Sequence, residues 1–368
     1  MKVIMTGGGT GGHIYPAIAI ADKIKEMQED AEILFVGTKR GLETELVPKN
    51  GYPLEFVTVS GFNRKNPLKN VRTAKDLVKG IKEADAIIEK FRPDVVIGTG
   101  GYVCGPVVRS AKKHGVHCFI HEQNAFPGMT NKILQNYVDK VFISFDAAAE
   151  YFRKKNKLIL TGNPVRKQFF EADYKECRQK LGIEDDRFVL LCFGGSRGAE
   201  RINEAMLRVL EKYNGSDKME IYFVTGKVHF DEVKEKTSYI ASELADNIHI
   251  LPYIDNMDVY LGACDLVISR AGALTVSEIT VCRKPSIMIP SPYVTGNHQY
   301  FNAKAVADVG GAILTEEKYL TNEILLSDIE TMLTNPEKRQ KMGLDAAKAA
   351  PGNATEIIYR EVMKALGK

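Results

Sequence analysis

At 368 residues the chain exceeds what one hydrophobic core of ordinary size organises, so two domains are expected. Its 44% apolar and 26% charged residues have the balance of a globular protein, and no run approaches the roughly 20 apolar residues that span a bilayer. A formal charge of +3 is too small to argue for nucleic acid, and six cysteines scattered without a CxxC pair argue for neither disulfides nor zinc.

The first residues, Met-Lys-Val-Ile-Met, read as a strand that runs straight into a glycine loop. They lack the apolar stretch and cleavage site of a signal peptide, so a cytoplasmic chain is expected. From there short β-rich runs alternate with helix-period segments. In the first half the runs are 2–5, 33–36, 94–98, 117–120, 140–144 and 158–161; in the second they are 188–193, 220–224, 249–251, 265–269 and 286–290. This alternation predicts an α/β protein with two Rossmann-like, doubly wound parallel sheets. An internal echo supports the division, because MKVIMTGGGTGGHIYPAIAIA returns in kind as RFVLLCFGGSRGAERINEAM. After the second loop, Ile202, Met206, Val209, Leu210 and Tyr213 form an apolar stripe at helical spacing.

The turn-forming cluster at 162–164 marks the boundary, giving domains 1–163 and 164–344. A last helix is expected at 355–366. Its periodicity does not fix a docking site, and the organisation expected has segment 345–368 returning to the first domain.

Three glycine-rich turns, 6–12, 99–105 and 194–198, each follow a strand. Backbone N–H groups at the helix start that follows such a turn form an anion site, and phosphate is the expected guest. No GK[ST] ending occurs, which argues against a Walker A loop. The first loop has spacing like that of GxGxxG, but Val36 runs into Gly37, Thr38 and Lys39 with no acid to hold a ribose, so a dinucleotide reading is the weaker one.

Six motifs in order carry a resemblance: GGGTGGHIYPA from Gly7, GTGGYVCGP from Gly98, HEQNAFPGMTNK from His121, GNPVR from Gly162, GGSRGA from Gly194 and SRAGALTVSE from Ser269. Together they resemble the MurG family of the GT-B superfamily, which moves N-acetylglucosamine from UDP-GlcNAc to a lipid-linked muramyl-pentapeptide. The resemblance implies two domains facing across a cleft and direct displacement with inversion, forming a β-1,4 bond at the muramyl 4-hydroxyl.

It also implies site residues. In the second domain Ala273, Leu274, Thr275, Val276 and Ser277 line the diphosphate region at a helix start, and Glu278 accepts the ribose hydroxyls. Ser196 contacts phosphate, the backbone of Ile254 reads uracil, Arg166 lies near the base, and Gln299 binds the sugar, with His298 beside it. In the first domain Thr10, Gly11 and Gly12 face the donor and Asn124 lies near the transferred sugar. His13 is the candidate general base, at a helix start where the dipole disfavours imidazolium. Glu122 is a second candidate, a structural carboxylate otherwise. No DxD triplet flanks an apolar strand, so no metal and no other cofactor is expected.

Between 64 and 82 lie Arg64, Lys65, Lys69, Arg72, Lys75, Lys79 and Lys82 with Asp76 the only acid, while Leu68, Val71, Leu77, Val78 and Ile81 share a helical face. A basic amphipathic helix of this kind fits an anionic membrane surface, and with a lipid-anchored acceptor it implies a peripheral protein on the cytoplasmic face of the cell membrane. The competing readings are another GT-B enzyme, such as a UDP-sugar lipid glycosyltransferase or a UDP-GlcNAc epimerase, a non-catalytic UDP-sugar-binding regulator, and a dehydrogenase.

Overall fold

The structure, a computed structural model, describes residues 1–61, 70–184, 186–195, 197–241 and 243–368. The chain forms two compact units, Met1–Val165 with Pro351–Lys368, and Arg166–Ala350. The first crossing thus lies just past the turn cluster at 162–164, two residues later than the expected end at 163. The return begins at Pro351 rather than at 345, because helix Pro336–Ala347 runs unbroken and buries Met342 in the second unit's core.

In the first unit β1 (Lys2–Gly7), β2 (Glu32–Gly37), β3 (Leu54–Phe56), β4 (Val95–Gly100), β5 (His117–Glu122), β6 (Lys140–Ile143) and β7 (Leu158–Leu160) form one sheet in the order β3-β2-β1-β4-β5-β6-β7. Every pairing is parallel. Such a sheet is covered on both faces, which explains why its strands read as continuous apolar runs. The pleat then divides each strand. Ile4, Leu34, Val96 and Ile120 belong to one core; Val3, Met5, Ile33, Phe35, Val95 and Ile97 belong to the other. That second core also takes Ile14 and Ile18 from helix Gly11–Met27 and Ile358 and Val362 from helix Ala354–Ala365. Lys23 pairs with Glu356 at 2.8 Å across these two helices, so the final helix docks on the one that follows the first glycine loop.

The second unit repeats the plan with β8 (Phe188–Phe193), β9 (Met219–Val224), β10 (Ile248–Leu251), β11 (Leu266–Ser269), β12 (Ser286–Met288) and β13 (Ala312–Leu314), ordered β10-β9-β8-β11-β12-β13 and again parallel throughout. Helix Glu200–Tyr213 lays the predicted stripe of Ile202, Met206, Val209 and Leu210 on this sheet.

Each sheet reverses its winding once, between β1 and β4 and between β8 and β11. Ligands of doubly wound sheets bind outside the carboxyl ends of the strands at such a reversal. In the first unit the register slips there: Thr6 pairs with Gly98 but Gly7 with Gly100, which leaves Thr99 as an extra, bulged residue.

Candidate active site

The loop between β1 and helix Gly11–Met27 carries Thr10, Gly11, Gly12 and His13. Thr10 is the N-cap and adopts extended backbone, yet its side chain caps nothing, and no acid occupies the first turn. The amino-terminal amides are left to an incoming group, with the positive end of the helix dipole behind them.

His13 sits in this first turn, partly exposed. Its carbonyl accepts the Thr99 hydroxyl at 2.8 Å, and its Nδ1 lies 3.1 Å from Gln123 Oε1. Gln123, almost fully buried just after β5, donates to the Thr99 carbonyl at 2.6 Å and to His121 Nδ1 at 3.0 Å. His121 Nε2 lies 3.0 Å from the Gly162 carbonyl, and complete burial pushes this imidazole down to about 4. The His13 ring rests on Gly100, where a Cβ would come within 2.6 Å of Nδ1 and where φ is +119°. Only glycine meets both demands.

Glu122 is buried, and its carboxylate is saturated. Oε1 accepts from the Asn124 N–H at 3.0 Å and the Asn124 side-chain amide at 3.2 Å; Oε2 accepts from the Gly128 N–H at 3.0 Å and Asn131 Nδ2 at 2.9 Å. Four donors fill the four lone-pair positions of a carboxylate. Glu122 therefore clasps the 122–131 loop and orients Asn124.

In the second unit helix Ala273–Val281 starts after β11. Its N-cap is Gly272, no side chain caps it, and its first turn has no acid, so the amides of Ala273, Leu274 and Thr275 face the reversal point uncompensated. Val276 and Ser277 do not share this availability. Val276 is wholly buried and its N–H bonds the Gly272 carbonyl; the Ser277 hydroxyl donates back to the Ala273 carbonyl at 2.9 Å. Desolvation pushes the Glu278 carboxyl up to about 8, Arg166 opposes the shift and Asp258 adds to it. Arg166, whose guanidinium lies over the Phe169 ring, is thereby close enough to Glu278 to feel its charge.

Beside that helix a pocket is lined by Gly194, Gly198, Arg270, Ser291, Tyr293 and Gln299, among others. Gln299 Oε1 accepts the Ser291 N–H at 2.9 Å, which turns the donor end of its amide outward from that contact. Arg270 is held by an ion pair with Glu317 and by donation to the Ile289 carbonyl at 3.1 Å. Gly198 packs so closely on the Thr225 carbonyl that a Cβ would lie 2.1 Å from it. Ile254 is buried after β10, and His298 precedes Gln299 at the start of helix His298–Ala307. Ser196 lies outside the described residues, as do Arg64, Lys65, Leu68 and Lys69.

Sequence reasoning singled out neither Gln123 nor Glu43, the buried acid at the start of helix Glu43–Lys49 that accepts the Gly9 N–H at 2.9 Å. Gln123 lay within a quoted motif; Glu43 had no signal. Among the described residues no three His, Cys, Asp or Glu side chains gather as a metal site. The six cysteines are free, and five are buried.

Each of the two Rossmann-like units presents an uncapped helix start at its own reversal point, the place where such sheets take phosphate-bearing ligands. Residues 3–143 match the Glycosyltransferase family 28 N-terminal domain and residues 189–356 match the Glycosyltransferase family 28 C-terminal domain, which sets the class. The chain is 47% identical, over 363 residues and 99% of both chains, to the UDP-N-acetylglucosamine--N-acetylmuramyl-(pentapeptide) pyrophosphoryl-undecaprenol N-acetylglucosamine transferase of Alkaliphilus metalliredigens. It belongs to the family of these N-acetylglucosamine transferases. Among solved structures, MurG of Acinetobacter baumannii is similar with a TM-score of 0.78 and 27% identity over 99% of each chain. A UDP-GlcNAc 2-epimerase of Neisseria meningitidis, solved with UDP-GlcNAc, has a TM-score of 0.71 at 15% identity, covering 99% of this chain and 100% of its own, and shares the fold alone.

Proposed function

We infer that the chain transfers N-acetylglucosamine from UDP-GlcNAc to the muramyl-pentapeptide carried on a pyrophosphoryl-polyprenol, as the names of its relatives state for them. The observation that carries this reading is full-length identity of 47% to such a transferase, together with uncapped helix starts in both units at the residues the reaction needs.

The chemistry is a direct displacement with inversion. Positive charge develops on the sugar ring and negative charge on the departing UDP, so preorganised amides and a helix dipole aimed at the diphosphate contribute the largest electrostatic effect. The amides of Ala273, Leu274 and Thr275 take that role, Glu278 accepts the ribose hydroxyls, Ile254 meets the uracil, Arg166 lies near it, and Gln299 donates to the sugar. Backbone donors of this kind neutralise the leaving group without a metal ion, and transfer is expected to persist in EDTA. His13 removes the proton from the acceptor hydroxyl. Glu122 is the weaker candidate, since its oxygens already hold four N–H groups. Asn124, oriented by Glu122, and the loop at Thr10–Gly12 complete the acceptor side.

The likeness to a UDP-GlcNAc 2-epimerase leaves one specific rival. Incubation with labelled UDP-GlcNAc and a lipid-linked muramyl-peptide separates the two: transfer yields a disaccharide only when acceptor is present, epimerisation yields a new UDP-sugar without it. In the same assay His13→Ala is expected to lower kcat by about 10²- to 10⁴-fold and leave donor affinity within threefold. Glu278→Ala is expected to weaken donor binding by about 1.5–3 kcal/mol, the range for a hydrogen bond to a charged group.

Membrane contact is proposed through helix Asn70–Phe91. No described helix is long and apolar enough to cross a bilayer. In this helix, however, Val71, Leu77 and Val78 are exposed, and Val71, Ala74, Lys75, Val78, Lys79 and Lys82 line one open groove. Its later turns bury Ala84 and Ile88 in the core, so the apolar residues of the first turns are not spent on the sheet. Exposed valines among lysines suit the headgroup region of an anionic leaflet at the cytoplasmic face, where the acceptor is anchored.

A further inference from the structure

The proton positions around His13 follow from a chain of four groups, each of which leaves the next no choice. The Gly162 carbonyl can only accept, so His121, 3.0 Å away through Nε2 and uncharged because of its burial, carries its proton on Nε2 and a lone pair on Nδ1. Gln123 places its amide nitrogen 3.0 Å from that lone pair and 2.6 Å from the Thr99 carbonyl, another obligate acceptor. The His121 carbonyl, 3.3 Å from the same nitrogen, is a third acceptor, so both amide protons are committed on this side and the reversed amide would set oxygen against two carbonyl oxygens. Gln123 Oε1 is then fixed as the group facing His13 Nδ1 at 3.1 Å, and an amide oxygen only accepts. His13 must therefore hold its proton on Nδ1.

We propose that Gln123 is a positioning residue, which through the Gly162–His121–Gln123 chain locks neutral His13 in the Nδ1–H tautomer and keeps its Nε2 lone pair ready to accept a proton. The inference rests on the reading of His13 as general base. Free imidazole side chains favour the opposite tautomer, whose Nε2 cannot accept. Without the lock, part of the population would be unable to remove a proton at that nitrogen. The same bond survives the reaction: when the acceptor hydroxyl gives its proton to Nε2, the imidazolium still donates through Nδ1 to Gln123, and no partner has to turn. Thr99 serves the device twice, orienting Gln123 with its carbonyl and holding the His13 backbone with its hydroxyl. Gly100 lets the ring lie in this place, since a Cβ there would come within 2.6 Å of Nδ1.

The test reads the tautomer and the turnover separately. The full chain is labelled with ¹⁵N at its seven histidines, and the His13 resonances are assigned by comparison with His13→Ala. At about pH 8.5, where a histidine of ordinary pKa is neutral, wild-type His13 is expected to show a protonated Nδ1 and an unprotonated Nε2. In Gln123→Met, which keeps the side-chain length and removes every hydrogen-bonding atom but the weakly accepting sulfur, the two tautomers are expected to mix. kcat should fall at least about tenfold while KM for UDP-GlcNAc stays within twofold. A predominant Nε2–H tautomer in the wild-type protein overturns the proposal without reference to any variant, so it does not depend on Gln123→Met folding. An unchanged tautomer in Gln123→Met overturns it as well, and a mixed tautomer with unchanged kcat overturns its catalytic part. An Nδ1–H tautomer in a protein that transfers nothing from UDP-GlcNAc supports the network and rejects the reaction of the preceding section.

Discussion

Glu43 holds Gly9 in place: its Oε2 accepts the Gly9 N–H at 2.9 Å from full burial, while its Oε1 takes the Thr38 N–H at 2.9 Å and the Thr38 hydroxyl at 2.7 Å. The loop after β1 is thus tied to the loop after β2 by one carboxylate, and the conformation that presents Thr10 to His13 depends on an acid 34 residues away.

Replacing Glu43 with alanine removes the acceptor of two part-buried N–H groups, those of Gly9 and Thr38, at roughly 0.5–1.5 kcal/mol each. A lowered Tm in calorimetry is expected, with kcat reduced and UDP affinity within twofold, because the residues proposed to hold the nucleotide belong to the other unit. Undiminished turnover in Glu43→Ala would contradict the loop-holding role.

The Glu278 carboxyl gives a pH signature. Desolvation raises it from 4.5 to about 8, so folding favours the protonated form. Below 4.5 folded and unfolded states are both protonated and the group contributes nothing. Between 4.5 and about 8 only the unfolded state ionises, and stability declines with rising pH; above 8 the loss is complete. In the proposed role ribose hydroxyls would donate to the ionised form, so binding of UDP-GlcNAc at pH 7 is expected to release protons. Calorimetry in buffers of different ionisation enthalpy measures that release, which should vanish near pH 9.5 and in Glu278→Gln.

Gly100→Ala tests the seat of the imidazole. The new methyl would enter within 2.6 Å of His13 Nδ1 at a φ of +119°, where a side chain is strained whatever the space. A stability loss of about 1–3 kcal/mol is expected from the backbone. A fall in kcat exceeding that of Gly115→Ala, which has positive φ but open space, would separate displacement of the ring from strain alone.

For the membrane surface, Lys75, Lys79 and Lys82 changed together to alanine should remove about 3 kcal/mol of attraction, on the order of a hundredfold in partition onto anionic vesicles. Sedimentation with such vesicles measures it. Turnover with a short-chain soluble acceptor should be unaffected, and equal vesicle binding would argue against this face.

The sequence made the central strands legible because burial on both faces forces continuous apolar runs, as in Phe188–Phe193, where every residue is buried. β3 and β13 escaped for the converse reason: each is a three-residue edge strand, mostly half-buried, and β3 carries Glu55 at its centre. The glycine loops were legible from composition, the residues on them only through resemblance. Gln123 and Glu43 could not be seen, since their meaning lies in partners 110 and 34 positions away. A buried acid that gathers loop amides reads in one dimension like any acid at a helix start.

The docking of Ala354–Ala365 on Gly11–Met27 has a consequence for biogenesis. Ile358 and Val362 fill the same core as Ile14 and Ile18, yet they are synthesised only after the whole Arg166–Ala350 unit. The amino-terminal unit must wait, one flank unsealed, while the Arg166–Ala350 unit is made and can close on itself. Completion of the core behind helix Gly11–Met27 is thereby tied to synthesis of segment Pro351–Lys368, and a nascent chain halted before that segment would carry a closed Arg166–Ala350 unit and an amino-terminal unit with this flank still open.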